Sequence, residues 1–125
     1  MHMHELRFTV WQFVRLMVHL EEQSKRTADQ QALFDDWADV WTPLDKELES
    51  LAASDLDAYS DKMMDQDVVI NEATAQQAAT AHSAIQAVMD ELDAAIAAGE
   101  AEDLDSLKFE RRELRQLARK LGRFD

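Results

Sequence analysis

Between Ser54 and Ala98 the chain contains neither glycine nor proline. In this Ala-rich run Leu56, Tyr59, Met63, Ile70, Ala78, Ala81, Ile85, Val88, Leu92 and Ile96 keep one helical phase. At about 100° per residue they fall within a sector of roughly 100°, which marks an amphipathic helix rather than a strand. One continuous helix of this length would reach roughly 65 Å at about 1.5 Å per residue, and its overhang would need a partner subunit to bury it. The weakest point is Val68-Val69-Ile70-Asn71, three β-branched residues followed by a residue suited to capping. Asp67 and Thr74 also interrupt the stripe. The phase nevertheless survives the interruption, so the expectation is one long central helix.

The remaining composition agrees with helix. Two glycines and one proline supply almost no turn chemistry for hairpins, and nineteen alanines favour helix on propensity. An all-α fold follows, with residues 1–125 as a single domain able to bury one core. Cysteine is absent, which removes disulfides and thiolate chemistry and fits a reducing cytoplasm. The most apolar stretch, Leu6 to Leu20, is too short to cross a bilayer and contains Arg7, Arg15 and His19. No small-residue cleavage site follows it, so it does not read as a signal peptide either. A cytoplasmic location with no membrane partner is expected.

Taken in order, a first helix is expected from about Glu5 to Ser24. Its apolar residues, among them Val10, Phe13, Val14 and Met17, leave only a narrow polar strip of Gln12, Arg15, His19 and Glu22. Such a helix must be buried on most sides, as a central helix or at a subunit interface. The alternation Leu6-Arg7-Phe8-Thr9-Val10 has the period of a strand but no evident partner strand, so helix is preferred. Thr27-Ala28-Asp29-Gln30 resembles a capping box and opens a helix from about Ala28 to Trp41. Thr42-Pro43 then suits a new N-terminus, starting a short helix to about Ala53 with Leu44, Leu48 and Leu51 inward. Ser54 reads as the next N-cap and Gly99 as a C-cap.

The last helix, about Asp103 to Leu121, turns Leu104, Leu107, Leu114, Leu117 and Leu121 inward. The whole reads as an antiparallel helical bundle of about four to five helices. The expected core comprises Val10, Phe13, Val14, Met17, Leu33, Trp37, Leu48, Ile85, Val88, Leu92, Leu114 and Leu117. The apolar first helix and the long central stripe together point to a homodimer.

Charge is unevenly placed. Of the net −13, residues 27–106 carry −18, whereas residues 1–26 carry +1 and residues 107–125 carry +4. Such asymmetry bears on partners rather than on fold. Asp57, Asp61 and Asp65 recur at one helical face, and Asp35, Asp36 and Asp39 flank Trp37 and Trp41. These eight residues are the candidate partner-binding set, with aromatic anchors amid carboxylates that suit a basic protein. The tryptophans at helical spacing equally suit the core.

Chemistry is harder to find. His2, His4, His19 and His82 lack a Glu-x-x-His or His-Glu-x-x-His context, so no metal or cofactor is expected. Glu102-x-x-Asp105 and Glu110-x-x-Glu113 superficially resemble the paired acidic motifs of all-α nucleotide pyrophosphatases, but both fall on one helix. A Mg²⁺-dependent phosphohydrolase is therefore disfavoured, and no catalytic residues are assigned. Lys108, Arg111, Arg112, Arg115, Arg119, Lys120 and Arg123 make the last helix basic, yet the strongly acidic remainder opposes direct nucleic-acid binding. The leading expectation is a non-enzymatic interaction or structural oligomeric protein. An acidic inhibitor, immunity factor or nucleic-acid mimic that binds a basic protein is the alternative.

Overall fold

Thr-x-x-Gln occurs at Thr9, Thr27 and Thr74, and each copy opens a helix with both hydrogen bonds of a capping box in place. The structure is a computed structural model describing residues 3–99 and 104–122. In chain order its elements are β1 (Met3–Thr9), α1 (Val10–Glu22), α2 (Ala28–Ser54), α3 (Leu56–Asp65), β2 (Asp67–Thr74), α4 (Ala75–Ala98) and α5 (Leu104–Gly122). The described chain is thus mostly helical with one two-stranded sheet. His2, Glu102, Asp103 and Arg123 lie outside the described residues, as do the side chains of His4 and Leu104.

The N-cap expected at Ser54 is Asp55 instead, Ser54 being the last residue of α2, and three larger expectations also fail. The run Ser54–Ala98 is not one helix: it divides into α3, β2 and α4, and the break falls on the β-branched residues 68–70. Residues 3–9 are a strand rather than the start of α1, because β2 supplies the partner that the local sequence lacks. Thr42-Pro43, finally, does not end a helix. Pro43 lies inside α2, where Trp37, Trp41 and Leu48 remain buried in one phase across it. Pro43 removes the amide from which the Asp39 carbonyl would accept, and both residues are exposed.

The sheet is antiparallel and pairs Leu6 with Ile70, Arg7 with Val69 and Phe8 with Val68. Leu6, Phe8, Val68 and Ile70 are buried on its inner face. Between His4 and Leu6 the register shifts by one, so Asn71 and Glu72 together oppose Glu5 as a bulge. Both bulge residues are exposed, and the inward alternation resumes at Ala73. On the outer face Arg7 bonds Asp67 (3.3 Å) and Glu5 (3.1 Å), which raises its guanidinium pKa above the ordinary value, with Asp67 the larger cause.

Helix α1 touches all six other elements, as its nearly all-apolar circumference requires. Phe13, Leu16, Met17 and Leu20 are fully buried there. The expected core residues are buried, except Val14, which is half-buried. Gln12, assigned by its polarity to a solvent strip, is also buried. Its Oε1 accepts from the Thr9 amide (3.0 Å) and its Nε2 donates to the Glu113 carbonyl (3.2 Å), tying the start of α1 to α5. Arg26 closes the other end of α1 by donating to the Leu20 carbonyl (2.8 Å). The apolar surface of α1 is therefore covered largely by this chain itself.

Thr9→Ala removes the hydroxyl that accepts from the Gln12 amide (3.1 Å) at the junction of β1 and α1. It is expected to lower stability by about 1 kcal/mol. Urea unfolding measures this, and an unchanged midpoint would show that the cap does not hold α1.

Candidate functional site

One of the three capping boxes also borders a cleft. The Thr74 box sets the start of α4 beside the first half of α2, and the two helices enclose a cleft of about 530 Å³. Asp29, Asp35 and Asp36 form one wall, and Gln76, Gln77 and Thr80 the other. Gln77 serves both structures: its Oε1 accepts from the Thr74 amide (3.1 Å) and its Nε2 donates to Asp36. Gln76 Nε2 donates to Asp29 (2.9 Å), and Gln31 Nε2 donates to Asp35 (2.8 Å). The start of α4, the positive end of its dipole, therefore lies towards the α2 carboxylates.

A smaller recess of about 230 Å³ adjoins this cleft and shares Asp36 with it. Trp37 and Val40 of α2 form one side, and Val69, Ile70, Asn71 and Glu72 of β2 form the other.

The candidate partner-binding set is thereby divided. Asp35 and Asp36 are exposed at the cleft, and Asp39 is exposed one turn further along α2. Asp57, Asp61 and Asp65 are exposed on α3 and line neither the cleft nor the recess. Trp37 and Trp41 are only 2% and 5% exposed, so they serve as core rather than as projecting anchors. Their rings pack with Phe13, and Trp37 also packs edge-on against Phe8 (centroids 5.7 Å apart). Trp41 Nε1 donates to Glu21 (3.1 Å), whereas the buried indole N–H of Trp37 has no acceptor among the described residues.

Sequence reasoning missed Asp29, Gln76, Gln77 and Thr80. The Thr74-x-x-Gln77 spacing was the available signal for the last turn of β2 and the start of α4, but nothing local connects it to Asp36.

Other charged groups are distributed as follows. Arg111 pairs with Asp93, and Lys120 donates to the Arg7 carbonyl (2.7 Å). Lys108, Arg112, Arg115 and Arg119 are exposed on α5 and meet no acid among the described residues. His19 and His82 each lie 3.4 Å from a glutamine amide on their own helix. Among the described residues no group of three or more His, Cys, Asp or Glu is placed to hold a metal ion, and no helix is long and apolar enough to cross a membrane. What the cleft offers chemically is fixed negative charge with hydrogen-bond acceptors, the requirements for holding an ammonium or guanidinium group. No protein-family model, curated protein or solved structure matches this chain.

Proposed function

We propose that this protein is a non-enzymatic interaction protein that engages a basic protein through the α2 carboxylates bordering the cleft. Inhibitors, immunity factors and nucleic-acid mimics of basic proteins fall within this reading. The scaffold is a helical bundle, and the cysteine-free composition supports a cytoplasmic setting. One observation carries the proposal. Asp29, Asp35 and Asp36 are positioned by glutamine amides, and none is ion-paired to a lysine or arginine among the described residues. A neutral amide orients a carboxylate without cancelling its charge, so the field of the cleft remains available to a cation.

The test is capture from source lysate by the wild-type protein and by the Asp29→Asn, Asp35→Asn, Asp36→Asn triple variant. The expected result is a basic protein held by wild type at low salt and released towards 0.5 M, because the Debye length shortens from about 30 Å at 0.01 M to about 8 Å at 0.15 M. The triple variant is expected to lose it. Equal retention by the variant would end the proposal. Recovery of only its own copies, insensitive to salt, would instead favour a structural homo-oligomer. The exposed Leu56, Met64 and Val40 support that second reading.

A further inference from the structure

The two edges of the sheet are not equivalent. Val10 N–H donates to the Gln66 carbonyl (3.0 Å), which makes Val10 and Gln66 a hydrogen-bonded pair just beyond the ladder. Such pairs alternate along antiparallel strands, so Phe8–Val68 and Leu6–Ile70 are also hydrogen-bonded pairs. Arg7 and Val69, between them, direct their backbone groups away from the partner strand. At the β1 edge the outward carbonyl of Arg7 is taken by Lys120. At the β2 edge, no described residue outside the sheet bonds the backbone of Val69.

That open edge borders the recess shared with α2. Its far wall contains Val40, which is 36% exposed, and Trp37, whose indole N–H is buried without an acceptor. Asp36 and Glu72 are exposed at its rim and carry negative charge, and the bulge at Asn71-Glu72 ends the regular edge. An unpaired strand edge beside side-chain pockets is the arrangement by which sheets accept extended peptides.

We infer that the outer edge of β2 binds an extended, cationic peptide segment of a partner, which adds to the sheet as a third strand between β2 and α2. The edge supplies main-chain hydrogen bonds at Val69. The recess takes an apolar side chain beside Val40, and Asp36 and Glu72 select lysine or arginine at alternating positions. This inference rests on the reading that the partner is basic, and it adds the conformation in which that partner is bound.

The probe is a fluorescent heptapeptide of alternating lysine and valine, titrated at low salt against the whole protein. A second peptide of the same sequence carries N-methyl groups on alternate amides, in two versions that block either set. At least one methylated version is expected to bind roughly tenfold or more weakly, because main-chain bonds are lost while charge is unchanged. Amide exchange at Val69 is expected to slow when the parent peptide is bound.

Val69→Pro is expected to weaken the parent peptide by a similar factor, whereas Val69→Thr, which keeps the edge N–H, is expected to bind as wild type. The methylated peptides report on unaltered protein, so the test survives even if the proline variant does not fold. Failure of the parent peptide to bind, equal binding by all peptide versions, or no protection of Val69 would overturn strand addition. If the aspartate triple variant still loses the captured basic protein while Val69→Pro retains it, the acidic-face reading stands and only strand addition falls.

Discussion

Phe13→Ala is expected to lower the unfolding free energy by about 3–5 kcal/mol, a large part of the roughly 5–15 kcal/mol that holds an ordinary domain folded. Phe13 is fully buried, with ring centroids 5.6 Å from Phe8, 6.2 Å from Trp37 and 6.3 Å from Trp41. Those contacts join β1, α1 and α2, elements whose junction also holds the inner face of the sheet. Truncation removes the apolar area of the ring and leaves a cavity that three rigid aromatic neighbours cannot readily close. Aromatic pairing adds about 0.5–1.5 kcal/mol per pair beyond burial. Leu56→Ala is the control: Leu56 is 68% exposed and is expected to change stability by no more than about 0.5 kcal/mol. Urea denaturation of both variants decides the matter. A loss below about 1 kcal/mol for Phe13→Ala would mean that the aromatic cluster is not the centre of the core.

A second large effect distinguishes the sheet from the helix that periodicity suggests. Val68→Pro is expected to cost about 3 kcal/mol or more, because Val68 faces Phe8 at a hydrogen-bonded position and its side chain is buried. Val69→Pro is expected to cost about 1 kcal/mol or less, since the amide it removes points to the open edge. In a continuous helix from residue 54 to residue 98 both prolines would be comparably damaging, each removing one i→i−4 bond. Thermal unfolding of the two variants therefore reads the local structure directly. Equal, severe losses would reject the β1–β2 ladder.

Much of the helical content was legible from local chemistry. The Thr27 capping box, the left-handed Gly99 (φ 67°) at the end of α4, and the buried Leu114, Leu117 and Leu121 of α5 stand where their residue types place them. The Thr9 and Thr74 boxes carried the same information, and reading them as helix starts would have separated β1 from α1 and β2 from α4. The candidate site was legible only in part. Asp35 and Asp36 are visible as a charged pair on α2, but their setting depends on glutamines elsewhere: Gln77, which bonds Asp36, lies 41 residues further along the chain.

Helix starts, a helix stop and apolar faces were determined by the sequence alone, because a helix satisfies its backbone within a few residues of chain. Pro43 marks the margin of that rule. Its position suited a new helix start, yet continuous burial of Trp37, Trp41 and Leu48 carries α2 through it. Only the tertiary structure decided that residues 3–9 and 67–74 are strands. A strand must find its hydrogen-bond partners on another segment, and here the paired residues Arg7 and Val69 stand far apart in sequence. The same nonlocal pairing leaves the Val69 edge open and sets β2 beside the acidic start of α2.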